Sequence, residues 1–148
     1  MIPMRDGKRL SAYVFFPKGE GKWPAIFEQR YADIDAMNAD AFVAHLTEDV
    51  TFRFGSAEAV QGRAAAAATA AGLWSAVDSL THHVLNTWDF ADTTICQVDV
   101  ESRLPDGTTV VTPHADILVF DGDLVRDWQT YIDMAPAQAP WPSGPGPR

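Results

Sequence analysis

The stretch Thr108-Thr-Val-Val-Thr-Pro-His-Ala-Asp-Ile-Leu-Val-Phe120, then Asp121-Gly-Asp123, then Leu124-Val-Arg-Asp-Trp-Gln-Thr-Tyr-Ile-Asp133, reads as two long strands joined by a tight turn. β-Branched and aromatic residues dominate both runs, and Asp-Gly between such runs is a strong short-range hairpin signal. Two further runs precede them, 80–89 and 93–104, linked through Asp89-Phe-Ala-Asp92 and Pro105-Asp-Gly107, connections short enough for antiparallel pairing. A four-strand meander is therefore expected to end the periodic sequence. In its third strand His114 and Asp116 stand two apart and project to one face. If that face is the inner one, a polar cluster lies in apolar surroundings, the raw material of acid/base chemistry.

Upstream the period changes from two to 3.6. Pro24 suits a first helical position, and Ile26, Phe27, Tyr31 and Ile34 recur at helical spacing, which predicts a helix to about Met37. A shorter helix capped by Asn38 should turn Phe42, Val43 and Leu46 to the core. Val50 to Phe54 alternates as a strand, and after Gly62 the alanine-rich run from Arg63 to about Val77 is the strongest intrinsic helix former of the chain, anchored by Leu73, Trp74 and Val77. Helices gathered early and strands gathered late indicate an α+β fold with helices on one face of a curved sheet.

Length and charge narrow the possibilities. A chain of 148 residues supports one domain with a real core. Residues 1–23 read as a hairpin-like appendage, with a turn signal at Asp6-Gly7 and a break over 17–21; residues 24–136 carry the core-forming pattern; and 137–148, with four prolines and two glycines, should be a disordered tail. A net charge of −9 disfavours nucleic acid and anionic membranes, because phosphates are repelled, and leaves neutral or cationic small molecules open. The single Cys96 reads as a small buried strand residue rather than a nucleophile. No apolar stretch of a secretory signal or of about 20 membrane-spanning residues is present, so a cytoplasmic protein is the expectation.

Taken in order and spacing, several stretches resemble the NTF2-like superfamily and, within it, the SnoaL-like group of polyketide cyclases and dehydratases. They are Tyr31-Ala-Asp-Ile-Asp35 through Asn38-Ala-Asp-Ala-Phe42, Leu46-Thr-Glu-Asp-Val-Thr-Phe52, Gly62-Arg63, Leu80-Thr-His-His-Val84, Pro113-His-Ala-Asp116, Phe120-Asp-Gly122, Trp128 and Tyr131-Ile-Asp133. The resemblance implies a cone, a bent antiparallel sheet around helices with an apolar pocket at its open end, and dimers formed through the outer sheet face. It places Tyr31, Asp35, His82, His114, Asp116, Trp128 and Thr130 where catalytic members draw pocket groups. Asp35 with His82 and His114 is similar to the acid and histidine pair of scytalone dehydratase. The position of the ketosteroid isomerases' proton-abstracting acid falls near Phe54, which carries no proton, and two of the three groups of the limonene epoxide hydrolases are replaced. Separately, Met1 to Leu10, Tyr13 to Pro17 and Trp23-Pro-Ala-Ile resemble the start of X-Pro dipeptidyl peptidase and cocaine esterase-type α/β-hydrolases, but no G-x-S-x-G elbow follows, so no serine hydrolase activity is implied.

The chemistry follows from these residue types. Removing a proton next to a carbonyl needs a base near neutral pKa and a donor for the enolate, and histidine, at about 6.5, meets the first need. Asp35, hydrogen-bonded to His114 or His82, would orient that ring, as an acid orients a histidine in a triad. The expectation is His114 as proton-transfer residue, Asp35 as its partner, His82 as a second donor, Tyr31 as donor to a substrate carbonyl and Asp116 as a buried carboxylate serving the cluster. Duller readings exist: a helix-end acid on the surface for Asp35, core packing for Tyr31, a structural partner of His114 or Trp128 for Asp116. Adjacent strand residues face opposite ways, so His82 is expected inside and His83 outside. Phe52, Phe54, Trp88, Trp128 and Thr130 are the candidate substrate-binding residues, suited to a flat hydrophobic ligand. No metal or cofactor is expected, since no zinc-protease, phosphate-loop or dinucleotide spacing occurs. A lyase or isomerase acting on a small hydrophobic carbonyl or polycyclic compound is thus the reading, with a non-catalytic ligand-binding or dimerisation module as its rival.

Overall fold

The computed structural model describes residues 23–134, with side chains from Gln29 onward, and the backbone of residues 2–3 and 9–10. Two short strands, β1 (Ile2–Pro3) and β2 (Arg9–Leu10), pair antiparallel. The expected turn at Asp6-Gly7, the hydrolase-like stretch over 13–17 and the tail 137–148 lie outside the described residues. Then come α1 (Trp23–Asp35), α2 (Ala39–Ala44), β3 (Leu46–Phe54), β4 (Val60–Gln61), α3 (Arg63–Trp74), β5 (Ser79–Phe90), β6 (Thr93–Arg103), β7 (Thr109–Asp121) and β8 (Leu124–Ile132).

Strands β3 to β8 form one sheet in the order β4-β3-β8-β7-β6-β5. The meander β5 to β8 is antiparallel throughout, while β3 joins it parallel to β8, the one relation the hairpin signals could not reveal. The sheet is curved and unclosed, with the helices on its concave side: an NTF2-like α+β cone.

Each helix has a physical stop and start. At the end of α1 the Asn38 N–H reaches Asp33 O (3.1 Å) and the Met37 N–H reaches Ile34 O (2.8 Å), the paired bonds of a Schellman turn, with Met37 at φ 51°. Asn38 at once caps α2, its side-chain oxygen accepting from the Ala41 N–H at 3.1 Å. That short helix ends at Ala44, so Leu46, expected on it, instead opens β3 and is fully buried there. Arg63 begins α3, where the helix dipole disfavours a cation. Its guanidinium is satisfied by the Leu46 carbonyl and the Glu48 carboxylate, which ties the alanine helix to β3. Ala66 and Ala70 are then buried against the sheet, where only a small side chain allows close approach.

Strand β5 carries one irregularity with consequences for function. Its register shifts between Val84 and Asn86, leaving Leu85 unopposed as a β-bulge. Before the bulge His82 pairs with Val100 on the concave side; after it Trp88 pairs with Ile95, whose neighbour Ile117 lies on the convex side. The hairpin that follows turns at Ala91, held at φ 51°, a left-handed conformation that costs an L-residue about 1 kcal/mol. Ala91→Gly is expected to raise the melting temperature by roughly 2–4 °C in a circular dichroism melt.

Candidate active site

The concave face of β7 presents Thr112, His114 and Asp116 at successive inward positions, and Thr130 on β8 pairs with Asp116. Asp116 is buried at 2% exposure. Its oxygens are nevertheless well used: Oδ1 accepts from Thr130 Oγ1 at 2.6 Å, and Oδ2 accepts from the Tyr31 hydroxyl at 2.7 Å and faces His114 Nε2 at 3.3 Å. Burial alone would raise this carboxyl, but the His114 ring and the Thr130 and Tyr31 hydroxyls outweigh it and hold it below the ordinary carboxylate range. Burial and the Asp116 charge push the Tyr31 hydroxyl well above the usual phenol value, so it stays a donor. Cys96 pairs with Asp116 across β6 and is fully buried; burial pushes its thiol up to about 12, which makes it an inert packing group.

A second acid and histidine stand beside the first. Asp35, in the last turn of α1, faces the negative end of the helix dipole and needs a partner. It finds one in His82: Asp35 Oδ1 lies 2.5 Å from His82 Nδ1, and both carboxylate oxygens accept from the His82 backbone N–H, at 3.2 and 3.1 Å. With Nδ1–H donating to Asp35, Nε2 is the unprotonated nitrogen of the neutral ring. His82 lines the pocket, and its ring centroid lies 5.5 Å from that of His114, nearly edge-on. Asp33, two residues earlier on α1, meets His45 Nε2 through Oδ2 at 2.7 Å.

The pocket itself has a volume of about 340 Å³, at the lower end of the range for small-molecule sites. Phe42, Phe52, Trp74 and Trp128 build its apolar wall; Phe42 meets the other three edge-on with centroids 5.6 to 6.3 Å apart, the arrangement the ring quadrupoles prefer. Its polar side chains are His82, His114, Asp116 and Thr130, with Thr112 and Ser102 further along the same wall. Among the described residues no group of three or more His, Cys, Asp or Glu is gathered as a metal site, and no helix is long and apolar enough to cross a membrane.

Most of the residues singled out from the sequence meet here, with three changes. Asp35 bonds His82, and His114 takes Asp116 instead, so the acid–histidine partnerships are the reverse of the one favoured for His114. The Tyr31 hydroxyl is engaged by Asp116 inside the core rather than offered to the cavity. Trp88 does not line the pocket: the bulge at Leu85 turns it to the convex face, where it is 46% exposed. Phe52, Phe54, Trp128 and Thr130 do line it. Thr112 and Ser102, also in its wall, were missed, although Thr112 is two residues before His114 and shares its face by strand alternation alone.

Comparison with known proteins agrees with this architecture. Among solved structures, a hypothetical protein with a ketosteroid isomerase-like fold from Catenulispora acidiphila, in complex with trimethylamine, superposes with a TM-score of 0.70 at 16% identity, covering 76% of this chain and 88% of its own. An NTF2-like protein from Anabaena variabilis gives 0.68 at 17% identity, covering 76% and 87%. An LEH-like epoxide hydrolase of M. tuberculosis gives 0.64 at 12% identity, covering 76% and 83%. At these identities the likeness is one of fold. No curated protein matches the chain in sequence. The family model described as SnoaL-like domain matches residues 27–128, which include both acid–histidine pairs and most of the pocket wall, and on that match the chain belongs to the SnoaL-like domain family.

Proposed function

We propose that this chain is a lyase or isomerase that works without a cofactor on a small, hydrophobic carbonyl compound, with His82 as its proton-transfer residue. The observation that carries the reading is the Asp35–His82 pair, which leaves Nε2 free of protein partners among the described residues, at the wall of an apolar pocket and beside a second acid–histidine pair. His82 Nε2 takes the proton from the carbon next to the carbonyl. The C–H electron pair becomes the new C=C bond and the carbonyl π pair moves onto oxygen, which the polar wall of the pocket around His114 receives; Asp116 Oδ2 holds the His114 ring there through Nε2. Return of the proton to a different carbon completes an isomerisation. Collapse of the enolate with loss of a β-hydroxyl, protonated by His82, completes a dehydration and releases water. The fold shared with an LEH-like epoxide hydrolase supports acid/base work in such a pocket.

A thermal-shift screen of flat carbonyl compounds and polyketide-like phenols, on the parent and on His82→Ala and His114→Ala, tests the reading. Hits that stabilise the parent, bind the variants less and turn over only with the parent are expected. Hits that bind parent and variants alike without turnover would favour a ligand-binding module.

The homodimer implied by the family likeness also belongs to this proposal. The convex sheet face exposes Trp88 (46%) and Phe90 (58%) side by side on β5, next to Ile95 and Ile117, with Tyr131 (56%) and Val111 (48%) exposed elsewhere on the same face. Light scattering on the eluted protein is expected to give twice the chain mass, and Trp88→Asp with Tyr131→Asp is expected to give the monomer with a cooperative melt; a monomeric parent overturns it.

A further inference from the structure

Tyr31 and Asp35 are four residues apart on α1 and so lie on one helix face, one turn apart. Both reach the same imidazole. Asp35 holds the Nδ1 edge of His82, while the Tyr31 ring lies against its flat face, with centroids 4.8 Å apart and planes inclined by 24°. Tyr31 is itself fixed: it is 3% exposed, its hydroxyl donates to Asp116 Oδ2 at 2.7 Å and its ring meets the edge of Trp128 at 6.5 Å. A buried tyrosine hydroxyl needs a partner, and this one has a carboxylate. Here that bond, together with packing on Trp128, holds the Tyr31 ring beside the second acid–histidine pair.

We propose that Tyr31 is a positioning residue which, with Asp35, clamps the His82 ring in one orientation and one tautomer. The inference rests on the reading of His82 as the proton-transfer residue and says how that histidine is kept ready. Rotation of the ring by half a turn would bring Cδ2 to Asp35 and carry Nε2 away from its present place; the Asp35 bond opposes the turn from the edge, and the packed Tyr31 ring opposes it from the face. Such control matters because a misplacement of about 1 Å costs on the order of 10²-fold in rate. The clamp also explains why two unlike residues are needed on α1: a carboxylate bonds Nδ1, and a ring keeps that edge of the imidazole turned toward it, so loss of either frees the tautomer.

Long-range proton–nitrogen NMR of histidine-labelled protein tests this without a substrate, since it reads tautomer and ring stacking directly. In the parent, His82 is expected as the Nδ1–H tautomer alone, with its carbon-bound protons displaced upfield by the Tyr31 ring current. Y31F keeps both signatures. Y31M, which fills the volume without a ring, moves the His82 protons toward free-histidine positions and gives a mixture of tautomers. A cooperatively folded Y31M with the parent's His82 signals would overturn the clamp. Should Y31M not fold, Y31F and D35A decide: D35A is expected to keep the upfield displacement and lose the single tautomer. A single tautomer retained in D35A, or displacement lost in Y31F, would equally overturn it. Turnover by a His82→Asn protein would instead sink the role of His82 and leave these NMR outcomes standing, so the two failures are distinguishable.

Discussion

His82→Asn is expected to lower kcat on a compound selected by the ligand screen by about 10²–10⁴-fold, the usual worth of a positioned acid or base. Asparagine is chosen because its amide N–H lies near the place of Nδ1–H and can keep the bond to Asp35, so that the fold and the end of α1 are preserved while the proton-accepting Nε2 is lost. Loss of kcat with KM changed little is the expected pattern, since the group acts on the reacting proton rather than on ligand affinity. Asp35→Asn should fall between parent and His82→Asn, because an amide can present either a donor or an acceptor to Nδ1 and no longer selects the tautomer. Rates measured on the three proteins at one pH decide it; a fully active His82→Asn would leave His114 as the remaining histidine of the pocket.

Asp116→Ala is expected to destabilise the fold by about 3–5 kcal/mol, the range for breaking a buried, paired charge. Three donors converge on this carboxylate, and alanine would strand the Tyr31 hydroxyl, the Thr130 hydroxyl and the His114 ring in the core. Against a typical domain stability of roughly 5–15 kcal/mol, that leaves a marginal protein. The sign of the pH effect follows from the same contacts. Asp116 has a folded pKa below its unfolded one, so its contribution is fully present above the ordinary aspartate value of about 3.9 and is lost as pH falls through the lower folded value. Urea unfolding at pH 7 and at pH 3 should show the parent losing more stability on acidification than Asp116→Asn, in which no carboxylate titrates at that place. Equal losses in both would mean that other acids govern the acid limb.

The sequence made much of this site legible because strand alternation is a strict rule. His82 and not His83 enters the pocket, and His114 and Asp116 share a face, for the same reason: a period of two. The helix was harder. That Tyr31 and Asp35 share a face follows from their spacing, but which histidine each acid meets depends on where α1 lies across the sheet, and no local pattern encodes that. It was through this gap that Asp35 was assigned to His114. Trp88 failed for a different reason. Counting in twos from His82 puts Trp88 inside, and the count is upset by one unopposed residue, Leu85, whose identity is that of any strand residue. The parallel placement of β3 beside β8 was likewise hidden, because Phe52 and its partner Trp128 lie nearly eighty residues apart and the hairpin signals speak only of neighbours.

The bulge in β5 makes that strand two surfaces in one. Above Leu85 the strand gives its side chains to the ligand cavity; below it, the same alternation gives Trp88 and Phe90 to the convex face. Loss of the single codon for Leu85 would remove the unopposed residue and leave each pairing below it as it is, Thr87 with Cys96 and Trp88 with Ile95, so both aromatics would stay on the convex face and the strand would lose only its kink. Chains built on this plan can therefore lose or regain one codon at this edge-strand bulge while cavity and convex surface keep their side chains, a change of length that leaves both surfaces intact.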